Sequence, residues 1–238
     1  MVCDTIVYHP TITRLIKFFD AAAGREKVLR LLQYLCRFLS IEKGGPTKQL
    51  ERQFLLIRKV LRFLKPLNYL KLASKVYDNK LAGDAFVRYC NVWKNLAFAL
   101  YLALDQINLL RMLKVISSTS LTGKMIPKWT NQSWLLSLFL GILMNGRKIQ
   151  IAQRHIDEIK NAKKEGSGKD TDKDEEKKVL ATVTKERYSA IRKLLWDSLD
   201  SLIVMNNLSY LKLDDGYTGL IGITTSLLGM QDLWKATE

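Results

Sequence analysis

The chain has 238 residues, with 38 Lys+Arg against 23 Asp+Glu and a formal charge of +15. Apolar residues, at 47%, exclude wholesale disorder, and three scattered cysteines (Cys3, Cys36, Cys90) exclude a disulfide scaffold. Four prolines, many leucines and no β-branched alternation predict an all-α chain.

The start, MVCDTIVYHP, has neither a basic n-region nor an apolar h-region, so no secretory leader is expected. Charge is uneven: residues 1–128 hold 22 Lys+Arg and 8 Asp+Glu, residues 129–238 hold 16 and 15. A polyanionic partner, phospholipid or nucleic acid, would therefore meet the first half. Four regions are expected: a basic helical region at 1–128, an apolar then charged helix at 129–164, a polar linker at 165–178, and a helical region at 179–238.

In chain order, Gly24–Ser40 is an amphipathic helix with Val28, Leu31, Leu32, Leu35 and Leu39 on one stripe. Arg30, Gln33, Arg37 and Ser40 fall opposite. Lys43-Gly44-Gly45-Pro46 should end that helix, and Thr47 should cap the next. From Lys48 to Lys65, the residues Leu50, Phe54, Ile57, Leu61 and Leu64 lie within roughly 80° on a helical wheel. Arg52, Lys59 and Arg62 take the far side, with Arg58 and Lys65 at the boundary. Pro66 should kink or restart the helix. Beyond it Leu70 continues the apolar side, and Lys71 and Lys75 the basic one. Large apolar residues flanked by cations describe a helix lying among lipid headgroups, with the Lys and Arg side chains expected to meet them. A groove-reading helix would mix Arg with Asn, Gln or Ser on its reading face. An anionic phospholipid membrane is therefore the expected partner, and nucleic acid is not.

Residues 84–116 read as one long or two shorter helices, and Leu96–Leu104 as a buried stretch too short to span a bilayer. Trp129–Gly146 is free of charge over eighteen residues, about 27 Å as a helix and close to the hydrocarbon thickness. Gly216–Gln231 is a second charge-free window. Its pairs Gly222/Ser226 and Thr225/Gly229 have the four-residue spacing of close helix packing in membranes. Glu165–Lys178 (EGSGKDTDKDEEKK) has no apolar side chain and should be a flexible linker, with Ser167 and Thr171 as accessible hydroxyls and Ser167 the candidate phosphorylation site.

No phosphate loop, nucleophile elbow or metal knuckle is present, so neither an enzyme, a cofactor nor a metal is expected. His9 reads as a turn residue and His155 as a solvated one. Asp197 and Asp200 share a helix face and are expected to cap or pair with cations.

Ordered segments along the chain carry a resemblance: GREKVLRLLQYLCRFLS at 24–40, RKVLRFLKPLNYL at 58–70, YDNKLAGDAFVRYCNVWKN at 77–95 and LALDQINLLRMLKVI at 102–116, then WDSLD at 196–200 and GMQDLWKAT at 229–237. The chain resembles the fungal branch of the peroxisomal membrane-elongating peroxins, the peroxin-eleven family. That resemblance implies residence in the peroxisomal membrane and a role in peroxisome proliferation. It implies elongation of the organelle by an amphipathic helix, self-association, and linkage to a dynamin-like GTPase and its membrane adaptor that carry out fission. The family's remodelling helix maps onto Arg58–Tyr77 and the residues just before it. An oligomeric channel or metabolite transporter supporting fatty-acid oxidation is the alternative that the resemblance carries.

Overall fold

The computed structural model describes residues 9–79, 83–164 and 172–237. Among them every regular element is helical: α1 (Pro10–Asp20), α2 (Ala22–Lys43), α3 (Gly45–Leu61), α4 (Lys65–Asp78), α5 (Ala85–Met112), α6 (Ile126–Lys164), α7 (Asp172–Asn207) and α8 (Asp215–Lys235). A five-residue π turn, Leu121–Met125, leads into α6. Ser167 and the linker residues 165–171 lie outside the described residues. Asp172–Lys178, expected as linker, is instead the helical start of α7.

The breaks follow local chemistry. His9 caps α1, its Nδ1 accepting from the Thr11 amide at 3.3 Å. Only Gly44, at φ +53°, interrupts α2 and α3, a backbone setting that costs glycine little. Pro46 sits in the first turn of α3, where a missing N–H costs nothing. Thr47 is thus inside the helix, donating to the Gly44 carbonyl at 2.7 Å, rather than capping it. The α3–α4 elbow comes before Pro66, at Leu64, which is left-handed at φ +59°. That conformation costs a branched side chain about 1–2 kcal/mol, so surrounding packing holds it.

The helices close a ring. α2 packs on α3 and α8, α8 on α7, α7 on α6, α6 on α5, and α5 on both α4 and α3. Polar and charged side chains share the interior with apolar ones such as Leu102, Ile203 and Val204. Arg30, Gln33, Asp105, Ser137, Asn145 and Thr225 are all buried. What faces outward is apolar: Leu32, Leu35 and Leu39 on α2, Leu136 and Phe139 on α6, and Leu220 and Leu227 on α8 are exposed. The amphipathic α2 thus turns Leu32, Leu35 and Leu39 of its apolar stripe out, with Val28 and Leu31 half-buried, and its Arg30–Gln33 face in. Leu96–Leu104 is split the same way, with Leu102 buried and Leu100 exposed.

A soluble monomer seldom exposes so much contiguous apolar surface. Helices in lipid have no reason to hide leucine and every reason to hide charge. Among the described residues one helical stretch, Leu121–Asn161, is long and apolar enough to cross a membrane. Gly216–Gln231 does not reach that standard.

Candidate functional site

The site is the two-sided wall formed by α3 and α4. Its outer side carries Leu50, Ile57, Leu64 and Leu70, all exposed, joined by Val60, Phe63 and Leu67, the last 61% exposed. Phe54 and Leu61 are half-buried at its margin. Arg52, Lys71 and Lys75 are exposed beside them.

The inner side corrects the sequence expectation for three cations. Arg58, Lys59 and Arg62 do not reach a headgroup layer; they turn inward into ion pairs. Arg58 is 7% exposed. Its Nε and Nη2 donate to Glu26 Oε1 at 3.0 and 2.9 Å, and its Nη1 donates to Gln33 Oε1. Lys59 pairs with Asp105. Arg62 Nη1 donates to the Tyr101 hydroxyl at 2.8 Å, with its Nη2 3.6 Å from Asp105 Oδ2. Lys65 is half-buried rather than exposed. The reason is geometric: with the apolar stripe outward, the opposite face of one helix must face the interior, so its cations need carboxylates there. Burial pushes the Glu26 carboxyl up, but Arg58, Arg62, Lys27 and Arg30 outweigh it and hold the group well below the usual carboxylate range.

Aromatic rings continue the inner wall. Tyr69 meets Phe98 at 4.6 Å between centroids, Phe98 meets Tyr101 at 5.2 Å, and Tyr101 stacks on Trp134 at 5.3 Å. On α7, Asp200 receives Arg30 at 2.5 Å and Asp197 receives Lys94 at 3.0 Å, so both are ion-pair partners. Cavities of about 320 and 400 Å³ lie beside this layer.

Gly222, Thr225, Ser226 and Gly229 are all buried in α8. A Cβ on Gly222 would lie 2.1 Å from Tyr34 Cγ of α2, and one on Gly229 would lie 2.8 Å from the Trp196 ring of α7. Small residues here let the Tyr34 ring of α2 and the Trp196 ring of α7 lie against the α8 backbone.

At one rim, Asp215 ties three helices: Arg37 Nε of α2 donates at 2.9 Å and Lys48 Nζ of α3 at 2.5 Å. The Lys48 hydrogen bond lowers the Asp215 carboxyl below its ordinary 3.8; burial opposes, and Arg37 lowers it further. A depressed folded value means the clamp contributes fully above the unfolded value and is lost as pH falls through the folded one. Asp215→Asn should therefore be less stable than the wild type at neutral pH and equal to it in strong acid, once the wild-type carboxyl is protonated. Unfolding in detergent at the two pH values reads this; a gap that persists in acid would contradict it.

Sequence reasoning missed Glu26, Asp105, Tyr101 and Trp134 as site residues. The signal was there in α2, where Glu26, Arg30 and Gln33 recur at four and three residues as a polar stripe of their own. Asp105 read as the end of an apolar run, and nothing local marks its partner Lys59.

A ring of helices with leucines outside and ion pairs inside defines a membrane-associated helical protein. Comparison with known sequences makes it more particular. The chain belongs to the peroxisomal biogenesis factor 11 (PEX11) family, whose model matches residues 12–234. It is 56% identical over 238 residues to peroxisomal membrane protein PMP27 of Saccharomyces cerevisiae, covering 100% of both chains. It is 34% identical to peroxisomal membrane protein PMP30B of Candida boidinii, again covering 100% of both. Against peroxisomal biogenesis factor 11 of Schizosaccharomyces pombe the identity is 26%, over 96% of this chain and 97% of that one. No solved structure matches the chain. It is a peroxisomal membrane protein involved in peroxisome biogenesis.

Proposed function

We propose that the chain elongates the peroxisomal membrane by seating α3 and α4 in one leaflet, and so promotes proliferation and fission. The observation that carries this reading is the outer row from Leu50 through Ile57, Leu64 and Leu67 to Leu70, unpartnered along two consecutive helices. Each such side chain contributes about 1.5–3 kcal/mol when it leaves water, and each nearby cation about 1 kcal/mol at an anionic leaflet. Insertion is thus driven by the apolar row, while Arg52, Lys71 and Lys75 select an anionic surface. Filling one leaflet alone expands it and favours positive curvature. Self-association would concentrate the wedges, and a dynamin-like GTPase with its membrane adaptor would act on the narrowed tubule.

Ile57→Glu with Leu64→Glu, both on the exposed row, should leave the protein at peroxisomes but keep the organelles round. Fluorescence microscopy of organelle length in cells relying on the variant measures this. Elongated peroxisomes in that variant would defeat the wedge.

A second reading, an oligomeric channel for metabolites, is supported by the polar interior that the helices encircle. Solute flux through planar bilayers without tubulation of vesicles would favour it.

A further inference from the structure

Of the two cavities beside the ion-pair layer, the one of about 400 Å³ has an unbalanced lining. Six cations border it (Lys27, Arg30, Arg58, Arg62, Lys65 and Lys94) against three carboxylates, Glu26, Asp197 and Asp200. Adding Lys59 and Asp105, which pair with each other just behind, leaves the excess unchanged. The surplus can be located. Arg30, Arg58, Arg62 and Lys94 have carboxylate partners. Lys27 has the Trp196 ring at 4.8 Å but no ion pair among the described residues, and Lys65 likewise has none there. Arg30, 6% exposed, uses Nη2 on Asp200 and Thr225 while its Nε has no hydrogen-bond partner.

Buried charge without a partner is costly, and proteins normally neutralise it. Here two half-buried ammonium groups without an ion pair among the described residues, and the unbonded Nε of a buried guanidinium, border one cavity. Burial and the neighbouring Arg30 guanidinium bring the Lys27 ammonium down to about 8, outweighing the opposing carboxylates of Glu26 and Asp200. Apart from Asn95 and Ser137, the rest of the lining is apolar or aromatic, with Phe98, Leu102, Leu138 and Trp134 prominent. The volume falls within the range of small-ligand sites.

We propose that this cavity is a binding site for a phosphomonoester bearing an apolar moiety, held by Lys27, Lys65 and Arg30 against the aromatic wall. A phosphomonoester carries about −1.5 to −2 charge near neutral pH, which balances the surplus better than a monoanionic carboxylate. Arg and Lys together are suited to its several acceptor oxygens. Two sources share this chemistry: a phosphatidic acid headgroup entering from the bilayer, and a soluble organophosphate. The site goes beyond the wedge reading and does not depend on it, because Lys27, Arg30 and Lys65 are absent from the outer row.

The test uses the full chain purified in neutral detergent, with dioleoyl phosphatidic acid, dioleoyl phosphatidylcholine and glycerol 3-phosphate as probes. Native mass spectrometry should show one phosphatidic acid retained and phosphatidylcholine not retained. Lys27→Gln with Lys65→Gln should weaken retention by about tenfold or more, and Lys27→Arg with Lys65→Arg should restore it. Lys178→Gln with Lys185→Gln, exposed on α7 and outside both the cavity and the outer row, should bind like the wild type. Displacement by glycerol 3-phosphate supports the site and assigns it to soluble organophosphates; failure of displacement supports it and assigns it to the lipid. Equal retention of phosphatidylcholine, or unchanged retention by the Lys27/Lys65 glutamine variant, overturns the proposal. Should that variant not fold, the wild type alone decides: phosphatidic acid must raise its melting temperature above that with phosphatidylcholine, and no rise overturns the site.

Discussion

Arg58→Met should destabilise the purified protein by about 3–5 kcal/mol, the cost of stranding a buried charge whose partner has been removed. Glu26 and Gln33, both buried, take three of its donated hydrogen bonds and would lose them together. Removing both ends should be milder: Glu26→Met combined with Arg58→Met replaces an ion pair by packing and often costs little. Arg52→Met, on an exposed position of the same helix, should change stability by less than about 0.5 kcal/mol. Denaturant unfolding in detergent of the wild type, Glu26→Met, Arg58→Met and the double variant forms a double-mutant cycle on this pair. If Arg58 served at headgroups, Arg58→Met would change the salt dependence of membrane binding and leave stability alone, and that outcome would reject the inward placement.

Gly222→Ala and Gly146→Ala are chemically the same substitution and should have opposite effects. A methyl group at Gly222 would overlap the Tyr34 ring, with Cβ 2.1 Å from Cγ and 2.2 Å from Cδ1. Tyr34 is itself 5% exposed, with the Arg30 guanidinium over its ring at 5.5 Å, so it has little room to retreat. Overpacking of this kind costs about 1–3 kcal/mol and should loosen α8 from α2. At Gly146 a Cβ meets nothing within 4 Å, and alanine in mid-helix is favoured over glycine by about 1 kcal/mol. Thermal unfolding in detergent should rank Gly146→Ala above the wild type and Gly222→Ala below it. Equal melting temperatures for the two variants would mean that the α2–α8 seam is not closely packed.

The helical character of the chain, the charge-free stretch of α6 and the small-residue spacing of α8 were legible because each is local: a period, a length or an interval. The amphipathic faces of α2 and α3 were equally legible, but not their direction. A helical wheel separates Leu35 from Gln33 without saying which side meets the interior. The usual assumption, apolar inward, holds for water as solvent and fails for α2. Only the pairing of Arg58 with Glu26, 32 residues apart, and of Lys59 with Asp105, 46 residues apart, fixes the orientation, and neither pair leaves a mark in sequence spacing. Asp197 and Asp200 were readable as ion-pair partners from their shared helix face, though Lys94 and Arg30 could not be named in advance.

The outward row on α3 and α4 shares its two helices with the inward ion pairs, and this has a consequence for how the protein reaches its destination. In water the closed ring would present leucine and phenylalanine to solvent over most of its circumference, inviting copies to stick to one another. In lipid the open chain would expose Glu26, Arg58 and Asp105 to hydrocarbon. Neither medium suits the wrong conformer, so arrival at the bilayer and closure of the ring must be coupled steps.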